Sequence, residues 1–220
     1  MTLNVEILPD PDAVAARGAD LVASLTHQVV ASSGRCSFAV SGGHTPWAMF
    51  ERLRSIDVPW EHVAVYQVDE RVAPEGDPDR NLTHLMASLP AGGDAEVHPM
   101  PVNDEDLERA AAGYATSLPE RFDLVHLGLG PDGHTASLVP GDPVLEVRDR
   151  AVAVTQPYQG HRRMTLTYPV LDRAGVVVWL VTGADKADAL RRLRARDPAI
   201  PAGRVHTGDQ RVVCDAAAAG

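Results

Sequence analysis

The longest aliphatic run in the chain, residues 176–181, has no polar residue alternating through it. It is far too short to cross a bilayer, and it reads as a strand buried on both faces. A strand of that kind belongs in a parallel sheet with a helix layer on either side. The remaining patterns agree. Residues 3–8 alternate as a strand, and after Pro9-Asp10-Pro11 a helical spacing of Val14, Leu21, Val22, Leu25 and Val29 runs to Gly34, with Asp12 as the expected N-cap. Further strands are expected at 36–40, 62–68, 123–127, near 151–155 and at 211–214, and helices near 81–88, at 104–118 and at 184–195. Strands alternating with helices predict an α/β fold: a mostly parallel, Rossmann-like sheet with helices on both faces, in a single domain over 1–220. Ligands of such sheets bind beyond the carboxyl ends of the strands.

Charge narrows the function. Twenty Lys and Arg against thirty Asp and Glu give a formal net charge of −10. That balance argues against nucleic acid or an anionic membrane as partner. A small anionic substrate must therefore be held by a local cluster of donors. Cys36 and Cys214 lie far apart in apolar surroundings, without C-x-x-C spacing, and read as buried thiols. The first residues lack a basic segment followed by an apolar stretch, so a cytoplasmic protein is expected.

Four segments at strand ends can carry chemistry. Ser41-Gly42-Gly43-His44-Thr45-Pro46 follows a buried strand and opens a helix, with Thr45-Pro46 as the expected cap and first turn. Unpaired backbone N–H groups there suit an anion, although a tight turn alone would also need the glycines. Asp69-Glu70-Arg71 delivers a forked cation with two acids, or else a surface ion-pair cluster. Gly128-Leu129-Gly130-Pro131-Asp132-Gly133-His134-Thr135 puts a histidine in a glycine-rich turn. An imidazole with an ordinary pKa of about 6.5 suits a general base, glycine N–H groups such as that of Gly130 suit an oxyanion, and Asp132 can orient the ring. Lys186 is the only lysine in the chain. Arg162 and Arg163 are further candidate anion contacts. The remaining histidines show neither H-x-x-x-H nor H-E-x-x-H spacing, so no metal site and no cofactor are expected.

Taken in order, these segments resemble the 6-phosphogluconolactonases of the glucosamine-6-phosphate deaminase-like superfamily. The likeness rests on Ser41-Gly42-Gly43 with Thr45-Pro46, Asp69-Glu70-Arg71 with Asn81, and Asp132-Gly133-His134-Thr135-Ala136-Ser137-Leu138 ending in Pro140-Gly141. It continues through Arg163-Met164-Thr165-Leu166-Thr167, Thr182-Gly183 with Lys186, and Pro201-Ala202 with Val205. The resemblance implies hydrolysis of 6-phospho-D-glucono-1,5-lactone to 6-phosphogluconate, the second step of the oxidative pentose phosphate pathway. It implies that His134 activates the attacking water. The glycine loop, Arg71, Arg163 and Lys186 would share the phosphate and the polar groups of the sugar, and Asp69 and Asp132 would position sugar or base. A monomer or weak homodimer acting on this small molecule is expected.

Two residues depart from the family pattern: His44 stands where a small hydroxyl residue is usual, and Arg80 where a serine is common. Altered loop contacts rather than lost activity are expected from both. An aminosugar-phosphate deaminase would need a glutamate just before Pro140, where this chain has Val139. A sugar-phosphate sensor would normally carry a DNA-binding unit, whereas this acidic chain begins at a strand.

Overall fold

The run at 176–181 lies inside the observed sheet, flanked by a strand on each side, and its side chains find apolar partners on both faces. The computed structural model describes residues 2–89 and 95–220. Among these, ten strands form two sheets. Seven strands are parallel throughout: β1 (Thr2–Leu8), β2 (Cys36–Val40), β3 (Val63–Gln67), β5 (Glu96–His98), β6 (Leu124–Leu127), β9 (Val176–Val181) and β10 (Asp209–Asp215), in the order β1-β10-β9-β6-β2-β3-β5. The other three, β4 (Asp69–Arg71), β7 (Val152–Val154) and β8 (Arg163–Leu166), form a small antiparallel sheet in the order β4-β8-β7.

Alternate residues of the parallel strands feed two separate cores. Phe38, Val40, Leu124, Val178 and Leu180 pack with helices α1 (Pro11–Ser33), α2 (His44–Leu53) and α3 (Asn81–Ser88). Ala39, Val125, Leu127, Val177 and Trp179 face the opposite way, toward α4 (Leu107–Ser117), α5 (Tyr168–Leu171), α6 (Ala187–Arg194), α7 (Ala216–Ala219) and the small sheet. Each large apolar side chain buried in this way contributes roughly 1.5–3 kcal/mol. Both faces being covered explains why the inner strands β2, β3, β6 and β9 carry largely continuous apolar runs, whereas the edge strand β1 alternates.

The structure shifts several local boundaries. Asp10, not Asp12, caps α1, accepting from the Ala13 amide at 2.8 Å, while Asp12 pairs with Arg52 at 2.6 Å. Gly43, not Thr45, is the N-cap of α2, which puts Pro46 at its third position rather than its first. Residues 184–186 form a separate 3₁₀ turn before α6, and Asp215 caps the alanine-rich tail into the short α7. The small sheet was not expected. Its strand β4 is made of charged residues with no β signal of their own, and it forms because β8 lies antiparallel beside it.

Strand order fixes the position of the site. From β2 the chain proceeds to β3 on one side, whereas strand β6 borders β9 on the other. Their carboxyl ends flank a topological switch point, where parallel sheets open a crevice. Among the described residues, no helix is long and apolar enough to cross a membrane.

Candidate active site

A cleft of about 440 Å³ opens at that switch point. Its walls come from the loops after β2, β6 and β9 and from strands β4 and β8. Of the residues singled out in the sequence, Ser41, Gly42, Gly43, Thr45, Asp69, Arg71, Gly130, His134, Arg163 and Lys186 all line it. Asp132 lies behind His134 instead of on the wall.

The loop after β6 is wound tightly to hold His134. The Gly130 amide donates to the His134 carbonyl at 2.8 Å, and the Gly133 amide donates to the Gly130 carbonyl at 3.0 Å. A Cβ on Gly130 would fall 2.1 Å from His134 Nδ1, so only glycine lets the ring lie there. Asp132 Oδ1 meets both the His134 amide, at 3.1 Å, and Nδ1, at 2.6 Å. Partial burial works against ionisation of Asp132, but the His134 amide and ring and the Tyr158 hydroxyl outweigh it and hold the carboxyl below its usual range. An ionised carboxylate only accepts, so Nδ1 carries the proton and the lone pair of the neutral ring is on Nε2. The His134 side chain is 22% exposed, open enough to meet a substrate.

The cationic wall comes from the small sheet. Its register sets Arg71 directly opposite Arg163 and Asp69 opposite Thr165. Like charges directly across a ladder repel, so this pair suits an anion between the two. Arg71 Nη1 donates to the Asp79 carbonyl at 2.5 Å. Arg163 is buried, with its guanidinium 5.2 Å from the centre of the Tyr158 ring. Burial lowers its pKa and nearby Asp69 opposes that shift, but a guanidinium stays charged. Asp69 is buried at the foot of the cleft. Desolvation raises its pKa, against the hydrogen bond from Ser137 Oγ at 2.5 Å and the charge of Arg163.

The glycine loop after β2 adds neutral donors. Ser41 Oγ is buried without a protein partner among the described residues. A Cβ on Gly42 would lie 2.0 Å from Asn81 Oδ1, and Asn81 Nδ2 in turn donates to the Asp69 carbonyl at 3.0 Å. Thr45 Oγ1 meets Thr182 Oγ1 at 2.8 Å, tying the loop to the end of β9. Lys186 reaches the cleft with its ammonium 3.0 Å from Asp185 Oδ2.

Two charged residues of these motifs serve the fold. Glu70 points away from the cleft and is fully buried. Its carboxylate accepts from the Arg71, Asn81 and Leu82 amides and from Gln67 Nε2, each at 2.8 Å, closing the N-terminus of α3. Arg80 is buried against it at 3.1 Å and donates to Asn103 Oδ1 at 2.8 Å, so the departure at Arg80 is a structural ion pair. His44, the other departure, is exposed at the cleft wall. Val139 is buried. Among the described residues, no group of three or more His, Cys, Asp or Glu side chains comes together to hold a metal ion.

Sequence reasoning missed Tyr158, whose hydroxyl donates to Asp132 Oδ2 at 3.2 Å, and gave no role to Thr182 and Asp185, which line the cleft wall. A turn signal at Gln159-Gly160 marks the loop that carries Tyr158, but nothing in the sequence says where that loop lands.

The chain is similar to proteins of known family. The family model described as glucosamine-6-phosphate isomerases/6-phosphogluconolactonase matches residues 9–214. A 6-phosphogluconolactonase of Nostoc sp. is 36% identical over 213 residues, covering 89% of this chain and 86% of that protein. One from Rhizobium meliloti is 37% identical over 207 residues, covering 89% of each. The crystal structure of the devB protein superposes with a TM-score of 0.86 at 29% identity, covering 99% of this chain and 98% of that one. The chain thus belongs to the glucosamine-6-phosphate isomerase/6-phosphogluconolactonase family.

Proposed function

We propose that this chain hydrolyses 6-phospho-D-glucono-1,5-lactone to 6-phospho-D-gluconate, with His134 activating the water that attacks C1. The observation that carries the reading is an imidazole held through Nδ1 by an ionised carboxylate at 2.6 Å, in a cleft whose other wall bears Arg71 and Arg163 side by side. The family relationship supports the lactone as substrate.

Nε2 of His134 takes a proton from water as its oxygen bonds to C1, and Asp132 stabilises the imidazolium that results. The C1–ring-oxygen bond then breaks, the ring oxygen gains a proton from the imidazolium or from solvent, and the carboxylic acid formed at C1 ionises, so each turnover releases one net proton at neutral pH. The Gly130 amide, expected from the sequence to serve an oxyanion, is instead engaged by the His134 carbonyl, so its part is to hold the loop that carries the base. Arg71, Arg163, Lys186 and the Ser41–Gly43 backbone would bind the phosphate and sugar oxygens, overcoming the repulsive net charge of −10. Asp69 would position the sugar. With the reading go a single domain over 1–220, a cytoplasmic location and a monomeric or weakly dimeric state.

The test is turnover of freshly made lactone, corrected for spontaneous ring opening, beside glucosamine 6-phosphate. Lactone turnover is expected, and His134→Ala should lower kcat by roughly 10²-fold or more with folding intact. Ammonia release from the amino sugar, or binding of lactone without turnover, would overturn the proposal. A near-normal rate in the variant would remove His134 from the mechanism.

A further inference from the structure

The loop before β8 turns sharply at Gln159 and Gly160, both at positive φ, and an isolated antiparallel bridge joins Tyr158 to His161. Both ends of this turn reach the site. At one end the Tyr158 hydroxyl donates to Asp132 Oδ2 at 3.2 Å, and its ring packs edge-on against His134, 5.6 Å between centroids. At the other, His161 Nε2 lies 3.1 Å from Asp79 Oδ2, in the loop whose backbone carbonyl holds Arg71. Between them, Gln159 Oε1 accepts from Arg163 Nη2 at 3.4 Å, and the Arg163 guanidinium lies over the Tyr158 ring.

We propose that Tyr158 is a positioning residue for lactone hydrolysis, acting through Asp132: its hydroxyl occupies the carboxylate oxygen that His134 leaves free and its ring confines the imidazole. The inference rests on the reading of His134 as the base. Its physical content is a division of lone pairs. Asp132 has two oxygens; Oδ1 is taken by the ring and amide of His134, and Oδ2 by Tyr158. With both oxygens engaged, the carboxylate cannot rotate and the imidazole plane is fixed. The hydrogen bond from Tyr158 also draws charge from the carboxylate, which tempers its pull on the imidazolium. Tyr158 and Arg163 are the ionisable neighbours of the Asp132–His134 pair on this side; Asp69, Arg71, Asp185 and Lys186 face it from the other walls.

Tyr158→Phe keeps the ring and deletes the donor. It should lower kcat by roughly fivefold, the scale of one net hydrogen bond, with KM within about twofold of the parent. Freed of its second donor, Asp132 would carry more charge on Oδ1 and hold the imidazolium more tightly. The acid limb of the kcat/KM profile should therefore move to higher pH, which a merely structural role would not cause. In an Asp132→Ala background the same substitution should change nothing, because the acceptor is gone. An unmoved acid limb, a loss confined to KM, or an equal loss in the Asp132→Ala background would each overturn the inference while leaving the base reading intact. A normal rate in His134→Ala would overturn both.

Discussion

The two sheets do different work. The parallel sheet holds its helices through uninterrupted apolar strands and delivers to the cleft backbone amides, Ser41 and His134, all on loops just past strand ends. The small antiparallel sheet places Asp69, Arg71 and Arg163 on the strands themselves, buried or half-buried. On the proposed reading the first sets the chemistry, through the placement of one base, and the second supplies most of the charge that would hold the substrate. Even within one strand and its loop the contrast is sharp. His126, inside β6, is fully buried, and desolvation pushes its pKa down to about 3 against the opposing contact of the Ser41 backbone, whereas His134 past the end of the strand reaches the cleft.

Substitutions can break this division of labour at three points. The largest effect should come from Gly130→Ala, whose new methyl would fall 2.1 Å from His134 Nδ1 and displace the ring. Displacing the base costs roughly 10²-fold in kcat with little change in KM, measured by steady-state kinetics; an unchanged kcat would mean that ring placement is not limiting.

Next is stability against pH. His126 is neutral in the folded chain down to about pH 3 but takes up a proton below about 6.5 when unfolded. The unfolded state thus binds more protons between those limits, and stability falls as pH drops through that window. From about pH 7 to about pH 5 this one group costs on the order of 2 kcal/mol. His126→Leu should remove that part of the acid loss in urea titrations while leaving kcat near normal. Identical pH dependence in variant and parent would contradict it.

Third, Arg163→Gln should raise KM by roughly tenfold, the loss of one charged anion contact, with a smaller change in kcat. A loss confined to kcat would move Arg163 from holding substrate to the chemical step, and the contrast between the sheets would fail.

The parallel sheet was legible because its strands are long, apolar and followed by glycine loops, a signal that comes from burial on both faces. The small sheet was not. Strand β4 is Asp69-Glu70-Arg71, and a three-residue charged segment has no period; it becomes a strand only when β8 pairs with it from far along the chain. β5 is equally short. The placement of His134, Arg71, Arg163 and Lys186 on one cleft was readable because each follows or begins an apolar strand. Glu70 and Arg80 could not be told from site residues, since facing inward toward α3 depends on the alternation of a strand that the sequence does not announce. Tyr158 escaped for a related reason: its contact with Asp132 depends on where a turn folds, not on spacing.

The pairing of β1 with β10, residue for residue from Thr2↔Asp209 to Leu8↔Asp215, bears on biosynthesis. β1 is synthesised long before β10, yet the two are neighbours in the sheet. Until β10 is made that segment has no mate, and the flank of β9 is an unzipped edge open to other chains. Completion of the sheet is thus a late closing step in folding, set by the longest-range strand pairing among the described residues.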